Sequence, residues 1–199
     1  VAVGGGLAYG PLGYSHHAVQ DYALMRTMPN MLIASPGDPM EVRACLRYLV
    51  ANPQPSYLRL GKAGEPNFHS SVPEIEPGIW LPVSSYKSES KSCFLTTGAT
   101  LEIAMNMLDE EPRSNPQVFS MPLWGILHKK IQAEQVSNFQ EVLTFEDHLF
   151  DGGFGSWLLE SLPQGQELRE RIRINALDSV VCGTVGKQVT LNRIAGLIK

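Results

Sequence analysis

Cysteine is scarce: Cys45, Cys93 and Cys182 are the only 3 in 199 residues, and they are scattered. An odd number at those spacings supports neither a disulfide framework nor a zinc site, and it suits a reduced, cytoplasmic protein. Positive charge is also short. Against 20 Asp and Glu stand 16 Lys and Arg, a formal net charge of −4, whereas a nucleic-acid binder normally carries a basic face. No apolar run approaches the roughly 20 residues of a transmembrane helix. The expectation is therefore no nucleic-acid partner and no membrane. Internal repeats, low-complexity tracts and heptad runs are likewise lacking. An initiator Met is missing too. The chain opens Val1-Ala2-Val3-Gly4-Gly5-Gly6, as if a strand were already ending, so a further section or subunit is expected upstream.

What is present is a globular composition, 43% hydrophobic and 18% charged. A chain of this length makes one large domain or two small ones, and its punctuation divides it. Over residues 1–64 strand and helix signals alternate, with strands expected at 1–3, 31–34 and 56–60. A helix is expected over 16–28, with Ser15 as its cap. Asp38-Pro39-Met40-Glu41 starts another, because Asp38 caps, Pro39 takes the first helical position and Glu41 stands three residues on. Short strand–helix–strand connections predict parallel βαβ units. Three strands and two helices cannot cover both faces of such a sheet, so this domain reads as partial. Residues 65–91, with Pro66, Pro73, Pro77, Pro82 and many serines, read as a linker. Over 92–199 the alternation resumes. Strands are expected at 93–96, 117–121, 141–145 and 171–174, and helices at 99–108, 126–136, 154–162 and 187–198. The fold class is α/β: a partial parallel-sheet domain, then a complete three-layer α/β/α domain.

Open parallel sheets bind ligands beyond the carboxyl ends of their strands. Three loops of the first domain belong to that edge: Gly4 to His17, Ser35-Pro36-Gly37-Asp38, and Gly61-Lys62. None is a nucleotide motif. Gly4-x-Gly6 meets Tyr9 where a dinucleotide fingerprint needs glycine, and Gly183-x-x-Gly186-Lys187 is too short for a P-loop. His16 and His17 are expected at a helix start, where the dipole favours a neutral imidazole able to relay protons. The alternative is that one of them merely satisfies backbone groups there. Glu146-Asp147-His148, with Asp151 and the turn Gly152-Gly153-x-Gly155, has residue types that suit a metal or a phosphate. With a single histidine and a capping pattern, it reads as structural. Arg169, Arg171 and Arg173 read as a solvated or interface edge.

Several segments, in order, resemble the thiamine-diphosphate-dependent transketolase family. They are Gly13-Tyr14-Ser15-His16-His17-Ala18-Val19-Gln20-Asp21 with Leu24-Met25-Arg26 and Met28-Pro29-Asn30-Met31, then Ser35-Pro36-Gly37-Asp38-Pro39-Met40-Glu41. Pro55-Ser56-Tyr57-Leu58-Arg59-Leu60-Gly61-Lys62 follows, and after it Phe145-Glu146-Asp147-His148 with Gly152-Gly153-Phe154-Gly155-Ser156. Within the family the chain looks transketolase-like or 1-deoxyxylulose-5-phosphate-synthase-like. The resemblance implies that 1–64 is the trailing part of a pyrimidine-binding domain, 65–91 a linker, and 92–199 the transketolase C-terminal domain.

It also implies roles. His16 matches the histidine of the family's G-x-[ST]-H segment, which faces the substrate and acts in hydrogen bonding and proton transfer at ketose hydroxyls. Lys62 falls where many members carry an arginine on the sugar phosphate; it keeps the charge and loses the bidentate fork. Arg59 is a nearby substitute for that contact. Leu12 stands where many transketolases have an aspartate reading a substrate hydroxyl, and Gly4 near a family histidine. The glutamate that activates the cofactor, its aromatic neighbour and the metal–diphosphate motif would lie before Val1. The intact enzyme would thus use thiamine diphosphate and Mg2+, transfer a ketol unit between sugar phosphates, and work as a homo-oligomer. This chain alone would bind neither group and be inactive. The alternatives are the beta subunit of a 2-oxoacid dehydrogenase, or a non-catalytic assembly or regulatory module.

Overall fold

The computed structural model describes residues 1–83, 90–110 and 115–199. Residues 84–89 of the expected linker lie outside this range. The first sheet holds β1 (Ala2–Val3), β2 (Leu32–Ala34) and β3 (Ser56–Leu60). β3 lies between the other two and is parallel to both, with Ala2 opposite Arg59 and Leu32 opposite Ser56. α2 (Pro39–Ala51) forms as its start signal predicts. The Asp38 carboxylate accepts the Glu41 backbone N–H at 2.7 Å. The Glu41 carboxylate reaches back to the N–H of Gly37, also at 2.7 Å, one residue further than in a standard capping box.

The fourth strand of this sheet comes from far along the chain. β7 (Leu123–Trp124) pairs antiparallel with β2, Ile33 opposite Trp124. Four strands form across the second sheet: β5 (Ser92–Thr96), β6 (Gln117–Ser120), β8 (Glu141–Leu149) and β9 (Ile172–Leu177). They run parallel in the order β6-β5-β8-β9. β4 (Leu81–Pro82), from the proline-rich segment, closes the β6 edge antiparallel. Alternation along β8 sorts its side chains to two faces. Phe145 packs with Leu101 and Ala104 of α3 (Thr100–Glu110). Val142 packs with Val136 of α4 (Gln132–Ser137) and with Trp157 and Leu158 of α5 (Phe154–Ser161). This is the expected three-layer arrangement. The core does not stop at the first sheet: Trp124 meets Tyr22 at a ring-centroid distance of 5.2 Å and Phe154 and Trp157 at 5.3 Å.

Three expected helices are shorter. In place of 16–28 stand a 3-10 turn at Tyr14–His16 and α1 (Asp21–Arg26). Ser15 caps nothing there, since its hydroxyl bonds His16 Nδ1, and Ala18 is bridged to Gly5 and Gly6. In place of 126–136, a 3-10 turn at Ile126–His128 precedes α4. α7 (Gln188–Ile194) stops before Gly196, whose φ of 74° lies in the left-handed region that ends helices. α6 (Gln166–Glu170) had no clear sequence signal.

Candidate functional site

β1, β2 and β3 are parallel, so the loops after them share one edge, as expected. The glycine run there does not present its amides to solvent. Gly4 N–H reaches the carbonyls of Leu60 and Gly61 at 3.0 Å, Gly5 N–H that of Leu60 at 2.9 Å, and Gly6 N–H that of Ala18 at 2.9 Å. Close packing explains the glycines. A Cβ on Gly5 would stand 2.8 Å from the Arg59 guanidinium carbon, and one on Gly6 would strike the Asp147 carboxylate. Gly6 also has a φ of 62°.

Arg59 is the centre of this edge and is only 3% exposed. Its Nε donates to Asp21 Oδ2 at 2.7 Å. One terminal nitrogen donates to the Tyr22 hydroxyl at 3.0 Å and to Asp147 Oδ1 at 2.5 Å. The other donates to the Ala18 carbonyl at 2.9 Å and the Asp147 carbonyl at 3.2 Å. A guanidinium has five N–H groups, and all are taken by protein acceptors. In this arrangement Arg59 has none left for a substrate.

The Glu146-Asp147-His148 triplet reaches into the same region from the end of β8. Glu146 is fully buried and accepts the N–H groups of Phe154 at 2.5 Å and Gly155 at 2.9 Å, capping α5; burial pushes its carboxyl up to about 8. Asp147 pairs with Arg59. His148 donates from Nδ1 to the Leu149 carbonyl at 2.7 Å and accepts the Ala23 N–H on Nε2 at 3.3 Å, which makes it the neutral Nδ1–H tautomer. Burial lowers its pKa further, and its ring stacks on Tyr22 at 5.3 Å. All three side chains of the triplet are thus engaged within the protein, Glu146 at the start of α5, Asp147 with Arg59 and His148 with the backbone of Ala23 and Leu149.

His16 and Lys62 are exposed. His16 lies in the 3-10 turn and not at the start of an α-helix, so the dipole argument for it lapses. Its place is set by the loop: its N–H bonds Gly13 O at 2.9 Å, and two residues on, Ala18 exchanges both backbone bonds with Gly6. Lys62 follows Gly61, whose carbonyl receives Gly4 N–H, so both side chains belong to one edge. His17 is half-buried, with Nε2 3.3 Å from Gly10 O.

One cluster has no signature in the sequence. Asp38, Glu41 and His69 offer ligand atoms within 4.8 Å of one another, the only such group among the described residues. Asp38 Oδ1 holds Glu41 N–H, while Oδ2 takes the backbone N–H groups of Phe68 and His69 at 2.9 Å and His69 Nδ1 at 3.0 Å. Burial alone would raise the Asp38 pKa, but these donors hold it well below the usual carboxylate range. Burial pushes Glu41 up to about 7, and the hydrogen bond to Asp38 raises His69. A lone histidine in a Pro/Ser-rich stretch gave no signal. A diphosphate–Mg2+ pair needs a carboxylate set left open around the ion; Asp38 already holds four donors, Glu41 Oε2 holds the Gly37 N–H and the Ser120 hydroxyl, and Glu41 Oε1 alone has no hydrogen-bond partner. Neither this cluster nor the glycine loop fits that group.

The family model for the transketolase pyrimidine binding domain matches residues 1–64. The chain is 41% identical over 166 residues to an apulose-4-phosphate transketolase subunit of Phocaeicola vulgatus, spanning 82% of this chain and 53% of that protein. It is 34% identical over 151 residues to 1-deoxy-D-xylulose-5-phosphate synthase of Thermus thermophilus, spanning 75% of this chain and 23% of that one. The chain thus spans about half, or less, of these curated relatives. A solved structure described as a split gene transketolase, inactive beta4 tetramer, superposes with a TM-score of 0.72 at 27% identity, over 99% of this chain and 60% of that one. Among the described residues no helix is long and apolar enough to cross a membrane. From its ordered motifs, its matched domain and this likeness in fold, the chain belongs to the thiamine-diphosphate-dependent transketolase family.

Proposed function

We propose that the chain serves a transketolase-type enzyme that transfers a two-carbon ketol unit between phosphorylated sugars. The observation that carries this reading is the exposure of His16 and Lys62 on one carboxyl edge, with the backbone amides beside them already bonded. His16 is assigned to the ketose hydroxyls, where an imidazole accepts a hydroxyl proton and returns it. Lys62 is assigned to the sugar phosphate as a point charge. Arg59 is not assigned a substrate contact, because its donors are occupied. Thiamine diphosphate with Mg2+ is assigned to the rest of the enzyme. Support for a partner section comes from the relatives: one is named as a transketolase subunit, and another, as a beta4 tetramer, is described as inactive.

The test is reconstitution with the diphosphate-binding section, followed by ketol transfer from a ketose phosphate to an aldose phosphate. His16→Ala should lower kcat by about 100-fold. Lys62→Ala should raise KM for the phosphorylated donor more than for its unphosphorylated analogue. Turnover of a 2-oxo acid with no turnover of ketose phosphate would overturn the reading in favour of a 2-oxoacid dehydrogenase. Absence of both activities would leave an assembly module.

A further inference from the structure

We propose that Asp147 is a positioning residue for His16, so that the second α/β unit sets the geometry of a catalytic loop carried by the first. The end of β8 holds the segment after His16 at consecutive residues. Asp147 grips Arg59 with its carboxylate at 2.5 Å and its own carbonyl at 3.2 Å, and the same guanidinium holds the Ala18 carbonyl at 2.9 Å. His148 accepts Ala23 N–H, and Leu149 N–H donates to Val19 O at 2.9 Å. Ala18 is two residues from His16 and is itself tied to Gly6 in both directions. Gly6 has room for no Cβ because the Asp147 carboxylate fills that space. A single carboxylate from the second unit therefore touches both strands of the loop on which His16 stands, directly at Gly6 and through Arg59 at Ala18.

Charge balance keeps Arg59 paired when the Asp147 carboxylate is taken away. Arg59 faces two carboxylates, Asp147 and Asp21, and the latter also accepts the Tyr57 hydroxyl at 2.8 Å. Removing the Asp147 carboxylate leaves a neutral Arg59–Asp21 pair and takes from one terminal nitrogen its bond to Oδ1, leaving it the Tyr22 hydroxyl alone. The guanidinium that donates to the Ala18 carbonyl is then held by one charged partner in place of two, and the Gly6 side of the loop loses the carboxylate packed against it. Displacements of about 1 Å at a reacting group cost up to about 100-fold in rate.

The kinetic arm of the test rests on the ketol-transfer reading; the structural arm does not. In the full chain labelled with 13C-histidine, the His16 ring line is assigned with His16→Gln. Asp147→Ala should shift or broaden that line while leaving His128 unmoved. Asp147→Asn, which keeps the shape and one acceptor, should give a smaller change of the same kind and serves if the alanine variant fails to fold. Phe139→Leu, in the core before β8, is the control for general loosening. In the assembled enzyme Asp147→Ala should lower kcat at least about 10-fold with KM for the phosphorylated donor held within about twofold. An unchanged His16 line in both Asp147 variants would overturn the proposal, as would an equal change in Phe139→Leu. If the His16 line moves as expected while no ketol transfer is found in the unaltered enzyme, the functional reading fails and the positioning stands.

Discussion

Arg59 shows how much one side chain on this edge has to do. It balances Asp21 and Asp147 inside the protein, and its guanidinium lies 4.2 Å from the centre of the Tyr22 ring. Arg59→Met would keep much of the packing volume and leave the buried Asp147 and the half-buried Asp21 without a cation. The expected loss is about 3–5 kcal/mol, because an uncompensated buried charge costs more than the pair contributed. Urea denaturation measures it, and a loss below about 1 kcal/mol would contradict the buried-pair account. Gly6 gives a second prediction. Gly6→Ala must place a Cβ in the left-handed region and against the Asp147 carboxylate, for an expected cost of about 1–3 kcal/mol in the same assay. The sequence marked both residues, but for other work. By sequence Gly6 belongs to a ligand loop and Arg59 to a phosphate contact, and neither spacing nor composition tells a buried guanidinium from an exposed one.

At the scale of elements, α2 is the part most legible in the sequence. Its cap, its first-turn proline and its acid are all local, and local rules describe them. The cap also does non-local work that those rules omit, since Asp38 holds the chain at Phe68 and His69. Asp38→Ala should therefore cost about 2 kcal/mol, at the upper end of the range for a cap. The pH dependence follows from the same cluster and from Glu146. With Glu41 at about 7 and Glu146 at about 8, both stand above the ~4.3 of a free glutamate. The native state then binds more protons than the unfolded chain across that window, so stability falls as pH rises through it. His69, raised by Asp38, acts in the same direction: its contribution is present at low pH and is lost as the pH climbs through its folded value. Asp38, held low, matters only in stronger acid. The melting temperature should decline from about pH 5 to pH 8, and Glu41→Gln should flatten the part of that slope below about pH 7. A melting temperature that rises over this range would refute the assignment. The helix expected over 16–28 was less legible, because the backbone there is committed to Gly5 and Gly6 and cannot close a regular helix.

For the whole molecule, the unexpected feature is the joint between the units. Leu123 and Trp124 leave the second unit's alternation to cover the β2 edge of the first sheet. Trp124 then packs on Tyr22 from one side and Phe154 and Trp157 from the other. A shared core predicts a single cooperative unfolding transition by tryptophan fluorescence and by circular dichroism. It also predicts that residues 1–64 expressed alone give the collapsed amide spectrum of an unfolded chain, since β2 would lose β7 and α1 its cover. Two separated transitions would argue for independent domains. Calorimetry of the chain with thiamine diphosphate and Mg2+ should show no saturable heat, given that Asp38 and the glycine amides are already engaged.

The sequence by itself determined what depends on neighbours along the chain. Alternating apolar runs gave the α/β class, Asp38 to Glu41 gave a helix start, and the ordered motifs gave the family, because periodicity, capping and motif spacing are local properties. Only the tertiary structure decided what Arg59, Asp147 and Trp124 do. Arg59 and Asp147 are 88 residues apart in the chain and 2.5 Å apart in space. Contacts of that kind are set by how two sheets pack, and no local pattern encodes which buried charge will find which partner.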